Sequence, residues 1–136
     1  MAIMVVLMAI AMVSFLQWGR GTAMRSAIIV VKSNLVSARQ WAITHRVPTH
    51  FICGNTNGVM AQNGFFVVTT NNASSGVIGT INYLQSRVQF STTNDICFML
   101  DGSCTGTTSL VTIGLTGQAL TNSITVYALT GRATSH

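Results

Sequence analysis

Glutamate is absent from the 136 residues, and aspartate occurs only as Asp95 and Asp101. Against these two acids stand seven Lys plus Arg, a formal charge of +5, so internal salt bridges are almost excluded. Charged residues make up only 7% of the chain and apolar ones 49%, so solubility does not rest on charge. The polar remainder is mostly Ser, Thr, Asn and Gly, a mixture that suits a β-rich surface. An excess of cations this small is a weak pointer, taken alone, to nucleic acid, anionic lipid or acidic partners.

Groups that do chemistry are scarce as well. Three His, three Cys and two Asp are scattered along the chain, and no pairing among them stands out as acid, base, nucleophile or metal cluster. His45 and His50 flank Pro48 and Cys53 follows, which falls short of the roughly four N or S ligands that a zinc site needs at motif spacing. His136 ends the sequence, where order is not expected, and carries no inference. Hence no catalytic residue, cofactor or metal is expected. No repeat and no long linker divides the chain, which is long enough for one compact unit.

What is present begins with an apolar run. From Met1 to Trp18 only Ser14 and Gln17 interrupt it, and a helix of that length rises about 27 Å, close to the hydrocarbon thickness of a membrane. No basic region precedes the run and no small-x-small cleavage site follows it, which speaks against a signal peptide. After Gly19, Arg20 and Gly21, the stretch Thr22 to Arg46 sets Ile28, Val31, Leu35, Ala38 and Ala42 on one helical stripe. Pro48 ends the pattern by forcing Val47 out of helical geometry. One helix of about 45 residues is therefore expected, weakest at Gly19 and Gly21, where each glycine costs about 1 kcal/mol and a bend or local melting is expected.

Beyond Pro48 the pattern turns strand-like, with runs at Thr49–Cys53, Gly64–Thr70, Val77–Tyr83, Arg87–Ser91, Asp95–Met99, Leu110–Leu115 and Ser123–Leu129. Turn signals separate them: Asn57-Gly58, Asn63-Gly64, Asn71-Asn72, Ser75-Gly76, Asp101-Gly102 and Thr116-Gly117. Asn71 to Gly76 reads as a surface loop, and Asn72-Ala73-Ser74 within it fits an N-glycosylation acceptor, a triplet common by chance in such a composition. The fold class is α+β: a long N-terminal helix, apolar in its first half and amphipathic in its second, packed on an antiparallel β domain. The segments are 1–21, 22–47 and 48–136.

Three smaller readings concern sites. A tight turn centred on Leu100-Asp101 and closed by Gly102 sets Cys97 and Cys104 on opposed residues, which predicts a disulfide; the alternative is two buried thiols, and Cys53 is left as a small core hydrophobe. Arg25, Lys32, Arg39 and Arg46 recur at intervals of seven and line up along the helix, about a quarter turn from the apolar stripe. They read either as a solvated flank whose stems cover the packed edge, or as a contact for a neighbouring subunit or a polyanion. Trp18 sits where an interfacial aromatic sits and Trp41 on the far flank; neither suggests a cofactor.

Taken together, Ala2 to Phe15, the Leu35-x-x-Ala38-Arg39-x-x-Ala42-Ile43 helix end with Arg46, Pro48, Phe51 and Cys53, the strand Gly64-Phe65-Phe66-Val67-Val68, the turn Phe98 to Ser103 and the closing Gly131-Arg132 resemble the type IV pilin-like proteins. More narrowly they are similar to the H-type minor pseudopilins of type II secretion and their minor-pilin relatives. Val13 stands where the family has a proline. The family's processing site, a short basic leader ending in Gly followed by Phe-Thr-Leu and then a Glu, does not occur in the sequence; by this alignment roughly nine residues would precede Met1. Arg20 and Arg25 follow the apolar span, and the positive-inside rule alone would put that side in the cytoplasm. Pilin-like subunits face the other way, with the orienting charges in the leader.

The resemblance implies a bacterial structural subunit, not an enzyme. It would be processed and methylated at its mature end, held in the inner membrane before assembly, and then built with copies of itself or other pilins into a periplasmic or extracellular filament. The alternative it implies is a minor or tip pilin that binds DNA. For that reading Arg132 is the candidate contact, although Gly131-Arg132-Ala133-Thr134 lacks the second arginine of the family's Gly-Arg-x-Arg tail.

Overall fold

The computed structural model describes residues 2–54, 60–71, 74–105, 109–117, 119 and 121–135, and the side chains of these except 2, 9, 13–20, 71, 74 and 75. Helix α1 (Ala2–His45) is continuous through Gly19 and Gly21, so local melting at that joint does not occur. Its buried stripe is Met24, Ala27, Val31, Leu35, Ala38 and Ala42, the three-and-four spacing that keeps one face against the strands. The helix stops at His45 because Pro48 denies Val47 a helical conformation, and the turn-out falls on Arg46, whose φ is 52°.

A left-handed residue after a helix is ordinarily glycine, since a Cβ there is strained. Arg46→Gly is therefore expected to raise the unfolding free energy by about 0.5–1 kcal/mol, read from the midpoint of urea unfolding. An unchanged or lower midpoint would show that the Arg46 side chain compensates for its backbone.

Among the described residues eight strands follow: β1 (Thr49–Cys53), β2 (Gly64–Asn71), β3 (Ser74–Tyr83), β4 (Val88–Phe90), β5 (Asn94–Phe98), β6 (Ser109–Leu115), β7 (Thr121–Val126) and β8 (Ala133–Ser135). They make two four-stranded sheets, ordered β3-β2-β1-β5 and β4-β6-β7-β8, antiparallel throughout. Seven strands lie near the expected runs; β8 is additional. Ser75-Gly76 is not a turn: Ser75 pairs with Thr70 and Gly76 with Thr69, so both sit in β3. Of the expected surface loop, Asn71 thus lies in β2 and Ser74, Ser75 and Gly76 in β3, while residues 72–73, with most of the glycosylation triplet, lie outside the described residues. So does Asn57-Gly58.

The core sits where the helix stripe meets both sheets. Phe51 of β1, Phe65 of β2, Phe90 of β4 and Phe98 of β5 are fully buried, with Ile113 and Val111 of β6 and Ile124 and Val126 of β7. The Phe65 and Phe90 rings meet edge to face at 6.1 Å and join the two sheets, and Phe51 lies 5.7 Å from Phe65.

Candidate assembly surface

The first part of α1 extends away from this core. Ile3, Met4, Val5, Val6, Leu7, Met8, Ile10 and Met12 are between 58% and 77% exposed, a run of large apolar side chains that stands open to its surroundings. Patches of this kind mark surfaces that another apolar phase or molecule occupies. Among the described residues no helical window is long and apolar enough to cross a membrane. The expected Met1–Trp18 span falls partly on side chains outside the described set.

The second part of α1 is fastened by a latch. Arg39, half-buried, donates from Nε to the Gly102 carbonyl at 3.0 Å. Gly102 (φ 82°) and Gly131 (φ 60°) are both left-handed turn residues pressed on the helix. A Cβ on Gly102 would come within 2.7 Å of Ile43 Cδ1; one on Gly131 would overlap the Gly102 carbonyl oxygen and lie 3.1 Å from Arg39 Nε. The Cys104 amide donates to the Ala128 carbonyl at 2.7 Å, and the Gly131 amide to the Tyr127 carbonyl at 2.7 Å, so helix, hairpin and C-terminal turn are knit together. Of the four stripe cations, Arg39 is thus engaged within the chain, whereas Arg25, Lys32 and Arg46 are exposed. Arg132 is exposed on the turn leading into β8.

The hairpin after β5 corrects the disulfide expectation. Cys53, Cys97 and Cys104 are free thiols. The Met99 amide donates to the Ser103 carbonyl and Phe98 pairs with Cys104, so the turn is centred on Asp101, one residue later than a centre between Leu100 and Asp101. Three residues, Leu100 to Gly102, form the loop, a length for which a left-handed glycine in its last position is favoured. Cys104 therefore faces inward with Phe98, while Cys97 lies opposite Thr105, whose amide donates to the Cys97 carbonyl at 2.9 Å. Ser103, through its hydroxyl first and its amide second, holds the Asp101 carboxyl below its ordinary range, so Asp101 stays ionised as the cap of this loop.

One grouping escaped the sequence pattern. His50 Nδ1 and Asp95 Oδ1 are 2.9 Å apart, and His50 lies directly across from Cys97. The two partners are 45 positions apart, and only the β1–β5 pairing joins them. Burial pushes the Cys97 thiol above its ordinary value, so it is a poor nucleophile near neutral pH. No group of three His, Cys, Asp or Glu able to hold a metal occurs among the described residues. On the far flank of α1, Trp41 stacks on His45 with centroids 3.8 Å apart, lining a shallow hollow with Ser37, Gln40 and Thr44.

Cys53 is fully buried on β1, and burial pushes its pKa from 9.0 to about 12. The folded chain then keeps a proton that the unfolded chain releases, so stability present below pH 9 declines as pH rises toward 12. Denaturant titrations of the native chain and Cys53→Ala at pH 8 and pH 11 should show the native chain losing more of its stability over that interval. Parallel losses would mean that Cys53 ionises freely in the fold.

A crystal structure of the type IV minor pilin FimU from Pseudomonas aeruginosa superposes with a TM-score of 0.69 at 13% sequence identity, over 88% of this chain and 92% of that one. The fold is pilin-like. This match bears out the α+β architecture and the pilin-like resemblance read from the sequence; the narrower likeness to H-type pseudopilins is not tested by it. No family model matches the chain, and no curated protein does.

Proposed function

We propose that the chain is a structural subunit of a type IV pilus-like filament or type II secretion pseudopilus. In this reading it assembles through the apolar end of α1 while residues 48–136 cover the outside. One observation carries it: the exposed apolar run from Ile3 to Met12 belongs to the same helix whose later turns are locked on the sheets. The run is compatible with the inner membrane before assembly and with a filament core afterwards, because both are apolar and an α-helix satisfies its own backbone in either. The segments 1–21 and 22–47 then serve as membrane or core anchor and as clamp to the β domain.

Filaments sheared from the source cells and examined by mass spectrometry should contain this chain. Recovery only from the membrane or soluble fraction of filament-bearing cells would count against the reading. The DNA-binding alternative has the exposed Arg132 in its favour; affinity that falls steeply with salt and on Arg132→Ala would support it.

A further inference from the structure

The exposed flank of α1 is not purely basic. Arg25, Ile29, Lys32 and Val36 follow each other at intervals of four, three and four, which sets them on one helical face about a third of a turn from the buried stripe. Ile29 is 68% exposed and Val36 56%, and neither Arg25 nor Lys32 makes an ion pair among the described residues. The chain has almost nothing with which to pair them. Of its two carboxylate side chains, Asp95 meets His50 on the β1–β5 face and Asp101 caps the Leu100–Gly102 loop. A second copy offers these cations only the same two carboxylates, each already engaged within its own chain, beside seven further cations, so it has little with which to pair this face.

We propose that the Arg25–Ile29–Lys32–Val36 face of α1 docks on a different protein chain, one that presents carboxylates interleaved with apolar side chains, rather than on a second copy. The apolar members decide against a polyanion, because a phosphate backbone would neutralise Arg25 and Lys32 yet leave Ile29 and Val36 in water. An amphipathic helix with Asp or Glu at matching spacing covers all four. The inference rests on the filament reading for its setting: within such an assembly this chain would be a subunit whose neighbour along α1 is a dissimilar, acidic one.

The test is a photoreactive side chain in place of Ile29 in the full chain, expressed in its source cells, with the adduct identified by mass spectrometry. The expected product joins this chain to a different polypeptide through a segment that carries Asp or Glu. Its yield should drop by about tenfold or more in Arg25→Glu/Lys32→Glu, and comparably in Arg25→Gln/Lys32→Gln, the variant that removes charge without reversing it. Both positions are exposed, so the thermal midpoint should hold in each variant. A product of twice this chain's mass, an adduct with nucleic acid or lipid, a yield indifferent to both variants, or no adduct would overturn the inference. If copies cross-link to one another within filaments, the inference falls and the filament reading stands. If the acidic adduct forms but sheared filaments lack the chain, the filament reading falls instead.

Discussion

Gly131→Ala is expected to lower the unfolding free energy by about 2–4 kcal/mol, combining the strain of a left-handed alanine with the overlap of its Cβ. For a chain of this size that is a fall in thermal midpoint of about 7–15 °C. The effect is large because the obstacle is backbone: a Cβ at φ 60° overlaps the Gly102 carbonyl oxygen, which itself accepts from Arg39. Neither turn can retreat without releasing the helix. Gly117→Ala provides the comparison, since Gly117 has a similar φ of 76° but open space around its missing Cβ. It should cost about 1 kcal/mol, the conformational part alone. Equal losses at the two glycines would mean that no latch joins helix, hairpin and C-terminal turn.

The second large effect is functional. Leu7→Asp should leave the thermal unfolding of the β domain unchanged, because Leu7 is 60% exposed and touches no part of the core. Assembly should nonetheless fail. An aspartate at mid-helix depth costs about 2.5–3.5 kcal/mol in a bilayer, close to a hundredfold in partition. A filament core repeats that burden at every subunit. Filament yield from cells carrying Leu7→Asp, set against Leu7→Ile, measures it. Undiminished filaments from the aspartate variant would remove the apolar run from the assembly interface.

The long helix was legible because its signals are local and redundant: helix-forming residues, an apolar stripe read from Ile28 to Ala42, and a single proline that stops it; the stripe in fact continues back through Ala27 and Met24, with Ile28 half-buried beside it. Strands announced by β-branched and aromatic runs were equally legible, and β1 and β4 bury alternate side chains in the period of two that marks a strand. β8 was not, because Ala133–Ser135 is too short to show a period and owes its conformation to pairing with β7. The disulfide expectation went astray by one residue. A loop of three rather than two residues turns Cys97 and Cys104 to different faces, and Asp101-Gly102 is compatible with both lengths. The His50–Asp95 pair and the Arg39 latch depend on segments 45 and 63 positions apart, a separation at which no spacing rule operates. Heptad spacing placed Arg39 correctly along the helix. What it could not carry was the glycine turn waiting beside it.

Helical reconstruction by electron cryomicroscopy of filaments that contain this chain tests the central claim most directly. The expected map has α1 running along the filament interior, with Ile3 to Met12 in the dry centre and both sheets on the outside. Filaments in which those side chains face solvent, or in which the sheets form the interior and α1 lies at the periphery, would contradict it.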